Sequence, residues 1–242
     1  MIDKIFYVLL LAVFASAEIP SYIHVCGRRN PKLDDCIRES IDNMKDKFLV
    51  GIPELDIPSI NPLIVRNVKL AELPNFQASA DNVKMYGLGQ YTIDDLHLDL
   101  DKKQIDFTVS FNSMKILADY DVNAKIIVPV VGHGPIEMTT ENVKAKITML
   151  YKIIKRNNKN YAYFYSMKTK LEIQDFTADF KDQSGADSTL TTAINAALID
   201  SKKEILDSTV PNLEKKISET ILEISNQVCK HFHYEELFPD RE

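Results

Sequence analysis

Two periods of hydrophobicity divide this chain. Leu96, Leu98 and Leu100 alternate with His97, Asp99 and Asp101, and Ile105, Phe107, Val109 and Phe111 with Asp106, Thr108, Ser110 and Asn112. Val122, Ala124, Ile126 and Val128 against Asn123 and Lys125, then Val143, Ala145, Ile147 and Met149 against Lys144, Lys146 and Thr148, keep the same period of two. That period sends successive side chains to opposite faces, so these segments predict half-buried strands of an antiparallel sheet with one wet face. Tyr161 to Ile173 predicts a further strand, aromatic at its start. Asp101-Lys102-Lys103 and Arg156-Asn157-Asn158-Lys159-Asn160 read as hairpin connections.

On both sides of this region the period is helical. Leu33, Ile37, Ile41, Met44 and Phe48 form one stripe; Asn30-Pro31 opens the helix, Asp34 and Asp35 stand at its positive end, and Gly51 stops it. After Ser184-Gly185, Leu190, Ile194, Leu198 and Ile205 form a second stripe, and Leu213, Ile217, Ile221, Ile224 and Val228 a third. Val210-Pro211 falls between the last two and predicts a kink or break. Gly51 to Leu63, punctuated by Pro53, Pro58 and Pro62, reads as an apolar strap held extended. The order is helix, sheet, long helical region: an α+β chain. A C-terminal region of roughly forty residues, at about 1.5 Å per residue, is long enough to run the length of the sheet. A curved sheet around it leaves either a filled core or an apolar tunnel, and periodicity alone favours the filled core.

Composition then sets the compartment. Lys4, the apolar run Ile5 to Ala15 and the small-x-small site Ala15-Ser16-Ala17 read as a signal peptide over residues 1–17, too short to anchor in a bilayer. The mature chain, residues 18–242, is expected to be one domain. Cys26 and Cys36 are predicted to pair, as secreted cysteines do, closing a short loop at a gain of about 3 kcal/mol. Cys229 is left over and reads as a small apolar residue on a helix. The net charge of -6 argues against nucleic acid, and no second apolar run predicts stable membrane insertion.

No catalytic or cofactor motif emerges. Gly87-Leu88-Gly89 and Gly132-His133-Gly134 lack the pattern of a phosphate loop and read as turns, and no Gly-x-Ser-x-Gly elbow occurs. His231-Phe232-His233 offers two metal ligands without a third or fourth nearby, so it reads as a solvated terminus. His97 falls on the wet face. The expectations are no enzyme, no cofactor and no metal.

Four motifs in order carry a resemblance. Pro20-Ser21-Tyr22-Ile23-His24-Val25-Cys26 with Cys36 and the Gly51–Leu63 run, Val83-Lys84-Met85-Tyr86-Gly87-Leu88, Pro129-Val130-Val131-Gly132-His133-Gly134-Pro135, and Tyr234-Glu235-Glu236-Leu237-Phe238-Pro239 resemble the insect takeout and juvenile-hormone-binding protein family. The third motif resembles that family's turn between two central strands. The resemblance implies a single elongated domain, a highly curved antiparallel sheet wrapped around a long α-helix, related in fold to the tubular lipid-binding proteins. It implies a secreted, monomeric carrier of a small hydrophobic ligand such as a terpenoid hormone or fatty acid, in haemolymph or another extracellular fluid. The hormone carriers typically add a second disulfide, which Cys229 alone cannot form, so the resemblance points to the takeout branch, linked to feeding, behaviour and circadian output. The tunnel-wall candidates are Ile105, Phe107, Val109 and Phe111, with Ala124, Ile126 and Val128. Met44 and Phe48 join them, as do Tyr161, Tyr163 and Tyr165, whose phenols suit a ligand carbonyl or epoxide. The alternative is an extracellular signalling protein acting on a receptor through its surface; capture of microbial lipid ranks third, opposed by the net charge.

Overall fold

The computed structural model describes residues 19–73, 76–125, 129–181, 191–192 and 202–242. The segment 1–17, Ile126, Val128, Leu190, Ile194 and Leu198 lie outside the described residues. Two short helices, α1 (Leu33–Asn43) and α2 (Lys45–Val50), precede strands β1 (Leu63–Val65), β2 (Val68–Leu73), β3 (Phe76–Tyr86), β4 (Thr92–Asp99), β5 (Gln104–Lys125), β6 (Pro129–Arg156) and β7 (Lys159–Phe180). Helix α3 (Lys202–Cys229) and one further turn, α4 (Tyr234–Leu237), close the described chain.

The strands form one antiparallel sheet in the order β1-β3-β5-β6-β7, with β2 also on β3 and β4 also on β5. Helix α3 packs on both β7 and β2. These strands lie at opposite margins, so the sheet curls until both margins reach one helix. A sheet margin presents unpaired backbone groups, and here polar residues of α3 satisfy several. The Asn226 amide donates to the Phe164 carbonyl at 2.8 Å and accepts from its N–H at 2.9 Å. Glu214 accepts from the Leu171 N–H at 2.9 Å, and Ser218 meets Thr169 hydroxyl to hydroxyl at 2.8 Å. On the other margin Asn212 donates to the Leu70 carbonyl at 2.9 Å. The expected strand-and-helix alternation thus folds into a half-barrel whose gap the helix fills.

Three long strands replace the shorter ones that the alternation suggests. Odd positions face inward from Ile105 to Phe111 on β5 and from Val143 to Met149 on β6. Beyond Asn112 and Asn142 the inward set becomes even: Met114, Ala118 and Tyr120, opposite Thr140 and Ile136. Asn142 holds the left-handed φ of +48° and donates from Nδ2 to Gln174 on β7 at 2.7 Å. Both strands slip by one residue together, so pairing continues while the parity of the pattern inverts.

Three local expectations differ from the structure. The first helix stops at Met44 and resumes as α2, because Met44 caps α1. The proline strap is not extended: Pro53 opens a 3-10 turn, Pro53–Leu55, closed by a bridge between Ile52 and Ile57. That turn tucks Ile52 and Leu55 inward, at 2% and 3% exposure. Gly132-His133-Gly134 is no turn; it lies within β6, opposite Tyr120, Asp121 and Val122. Of the kink or break expected at Val210-Pro211, no break occurs: α3 runs through Pro211, which sits on its exposed side, where water can take up the freed carbonyl. Gly51 takes φ +86°, where a Cβ would lie 2.8 Å from the Ser59 amide nitrogen, so the predicted helix stop needs glycine.

Candidate functional site: the concave apolar face

Register stacks the inward side chains into rows that cross the sheet. One row runs Leu98, Ile105, Met149 and Met167; the next runs Leu96, Phe107, Ile147 and Thr169. Val109, Ala145 and Leu171 make a third, and Phe111, Val143 and Ile173 a fourth. Ile221 and Leu222 of α3 pack on the first three rows. The rows are unevenly covered. Leu96, Ile147, Ala145 and Val143 are buried, whereas Phe107, Val109, Phe111, Leu171 and Ile173, on the same face, are only half-buried. In a close-packed interior such neighbours would be buried together, so the concavity keeps accessible apolar surface in its middle.

The four strand residues Ile105, Phe107, Val109 and Phe111 are therefore brought together on the concave face, as their alternation implies. Ala124 continues β5, opposite Phe76 and Val130. Met44 and Phe48 go elsewhere. They join Ile52, Leu55, Val228 and Phe232 in a cluster at the end of α3. Phe232, at 1% exposure, is the centre of that cluster rather than part of a solvated terminus. Its burial contributes about 2–3 kcal/mol. His233 is the N-cap of α4 in a capping box with Glu236.

The tyrosines of β7 differ most from expectation. Opposite Leu150 and Tyr151 stand Ser166 and Phe164, leaving Tyr165 as an extra residue. This bulge inverts the strand's parity. Ala162 and Phe164 turn inward beside Tyr151 and Cys229, while Tyr163 and Tyr165 are 41% and 53% exposed. Tyr161 is half-buried, edge-on to His233 at 5.1 Å. Inward aromatics at this end are thus Tyr151, Phe164 and Tyr234, which alternation alone assigns to no site. Burial pushes the Tyr151 phenol well above its usual range, and it pushes the free Cys229 thiol up to about 12. Neither group ionises near neutral pH, which keeps this end of the concavity uncharged.

Two open grooves flank the exposed side of α3. One, of about 380 Å³, lies between Glu223, Asn226, Gln227 and Lys230 of the helix and Ile154, Arg156, Tyr161 and Tyr163 of the β6–β7 hairpin. The other, of about 490 Å³, lies between the same helix and Pro58, Leu63 and Ile64. The end bearing α1 is tied to the chain's other end. A disulfide joins Cys26 to Cys36 on α1. The Arg28 and Arg29 amides donate to the Pro239 and Arg241 carbonyls, each at 3.0 Å, and Arg29 pairs with Asp240 at 3.1 Å. The near cluster of His24, Cys26 and Cys36 offers no metal site, because both sulfurs are spent in the disulfide.

Sheet, helix and apolar concavity define an α+β protein of the sheet-wrapped-helix class. Residues 5–239 match the family described as haemolymph juvenile hormone binding protein, and the chain belongs to that family. A Schistocerca gregaria protein named for beta-carotene binding is 23% identical over 227 residues, spanning 90% of this chain and 89% of that one. The crystal structure of Takeout 1 from Epiphyas postvittana superposes with a TM-score of 0.73 at 16% identity, over 85% of this chain and 96% of that one. The latter likeness shows the curled sheet and C-terminal helix as a shared fold.

Proposed function

We propose that this chain is a secreted carrier, one domain over residues 18–242 after loss of segment 1–17. It holds one small hydrophobic molecule against the concave face and has no catalytic role. The observation that carries this reading is the half-burial of Phe107, Val109 and Phe111 beside the buried Leu96, Val143, Ala145 and Ile147 of the same face. Accessible apolar surface in a concavity is what such a ligand covers. Each buried methylene contributes about 0.8 kcal/mol, so a chain of about ten to fifteen carbons offsets the cost of association. Family membership supports a ligand-binding role, and the name of the Schistocerca relative adds a polyene to the terpenoids and fatty acids as ligand classes. The single disulfide and the buried Cys229 thiol favour the takeout branch over the hormone carriers. Ile105, Phe107, Val109 and Phe111 form the proposed wall, with Ala162 and Phe164 replacing Tyr163 and Tyr165 at the hairpin end.

Native mass spectrometry of gently purified protein, followed by solvent extraction, tests the reading. A stoichiometric apolar compound is the expected result; protein that is always empty and takes up neither fatty acid, terpenoid nor polyene overturns it. Phe107→Trp fills the second row and is expected to weaken uptake about tenfold while the chain stays folded. Unchanged affinity moves the wall off β5.

A further inference from the structure

Charge along this chain is distributed very unevenly. From Asn142 to Leu171, thirty residues contain no aspartate or glutamate but eight lysines and arginines, although the whole chain carries a net -6. This run is the β6–β7 hairpin. Three of its cations, in mid-sheet, are neutralised by acids of neighbouring elements: Lys144 by Asp94, Lys146 by Glu172 and Lys170 by Glu214. The other five, Lys152, Lys155, Arg156, Lys159 and Lys168, have no carboxylate partner among the described residues. All but Lys168 lie at the hairpin's outer end. Its turn, Asn157-Asn158, holds both residues at positive φ, +48° and +62°, and Arg156 pairs across it with Lys159. Two carboxylates stand nearby: Glu235, which accepts from the Asn160 amide at 2.6 Å, and Glu223, on the far wall of the adjoining groove.

Exposed apolar and aromatic groups interleave with these cations. Ile153, Tyr163 and Tyr165 are 37%, 41% and 53% exposed. The Lys152 ammonium lies over the Tyr163 ring at 5.5 Å, and the Arg156 guanidinium over the Tyr161 ring at 5.8 Å. Unpaired cations beside half-exposed tyrosines and an isoleucine match a surface that is anionic outside and apolar just beneath. The groove of about 380 Å³ opens between this hairpin and α3, walled by Arg156, Tyr161 and Tyr163.

We propose that the tip of the β6–β7 hairpin docks the protein on an anionic phospholipid bilayer, bringing this groove's mouth against the lipid. The choice of a lipid surface over an acidic protein rests on the carrier reading above, because a water-insoluble cargo has to leave and enter an apolar phase. The net negative charge does not oppose docking, since charges farther than a Debye length of about 8 Å are screened at physiological salt and only the local patch meets the headgroups.

Flotation of the full mature protein with vesicles tests this. Expected is binding to phosphatidylserine-containing phosphatidylcholine vesicles at low salt, loss at high salt, and none to phosphatidylcholine alone. Each cation removed from the surface weakens binding about fivefold, so Lys155→Gln/Lys159→Gln is expected to lose roughly twentyfold or more. Tyr163→Ser/Tyr165→Ser is expected to weaken binding without changing its salt dependence. Lys84→Gln/Lys115→Gln removes the same charge from β3 and β5 and is expected to bind normally. Equal binding by both lysine double variants, or equal binding to neutral vesicles, overturns docking by this hairpin. So does retention by an acidic protein column with no affinity for vesicles. Uptake of a fluorescent fatty acid from solution, measured on the same variants, separates the two proposals. Normal uptake with lost docking supports the docking surface; wild type that docks but takes up nothing sinks the carrier reading and leaves the docking result standing.

Discussion

At the scale of single residues, hydrogen bonds fix which parts of the fold are tied together, and one of them titrates. Asp34 on α1 reaches β4 with both carboxylate oxygens: one accepts the Leu98 N–H at 2.8 Å, the other meets His97 Nδ1 at 2.9 Å. That hydrogen bond, then the Asp34 charge, raises the His97 pKa above its usual 6.5. A pKa raised on folding contributes stability that is fully present below the unfolded value and disappears as pH rises through the folded one. His97→Gln is therefore expected to be less stable than wild type at about pH 5.5 and to converge with it by about pH 8.5. Urea unfolding across that range checks it, and a difference that grows with pH refutes the assignment. His97 is exposed, so the effect is small. Its use is diagnostic: it reports whether α1 stays pinned to β4.

At the scale of elements, the join between the two ends of the chain is held by a close approach at one glycine. A Cβ on Gly27 would lie 2.2 Å from the Arg241 carbonyl oxygen and 2.7 Å from its carbonyl carbon. Both atoms are backbone, and the tail is held there by the Arg28 and Arg29 amides, so nothing nearby yields cheaply. Gly27→Ala is expected to destabilise by about 2 kcal/mol or more, seen as a lowered melting temperature with the disulfide intact. An unchanged melting temperature means the tail is not docked in solution. This junction had no signal in the sequence beyond the cysteine pair, because Arg241 is far from Gly27 along the chain. The strands were more legible. Leu96 and Leu98, and Ile105 through Phe111, alternate cleanly, and the structure places them in rows on one face. What alternation hid is every place where a strand slips by one residue. At Asn112 and Asn142 the parity inverts and a continuous strand looks like two. At Tyr165 a bulge sends the most conspicuous aromatics outward and the inconspicuous Ala162 inward. The three strands between Leu63 and Tyr86 went unseen for two reasons: β1 and β2 are too short to show an alternation, and β3 shifts register against β5 between Asp81 and Lys84, which interrupts its own.

At the scale of the whole molecule, a half-barrel closed by a helix has two seams, and they are held differently. Along β7 the polar residues Glu214, Ser218 and Asn226 recur at helical intervals on one side of α3 and bond the strand's backbone and the Thr169 hydroxyl. Along β2 Asn212 supplies the corresponding bond to Leu70. On the carrier reading, a ligand on the concave face leaves through one of these seams or along the helix. The β7 seam borders Phe164 and Ala162 and the groove of about 380 Å³. On the carrier reading its hydrogen bonds guard that way out, and the two made by Asn226 contribute about 1 kcal/mol each. Asn226→Ala is accordingly expected to speed dissociation of a bound fluorescent fatty acid by about tenfold or more, with uptake at saturation unchanged. Asn212→Ala, which loosens only the β2 seam, is expected to leave the rate within about twofold of wild type. Stopped-flow release into excess vesicles measures both. A faster rate in Asn212→Ala alone moves the exit to the β2 seam, and no change in either variant means that release runs along the helix, through an end of the concavity rather than through its side.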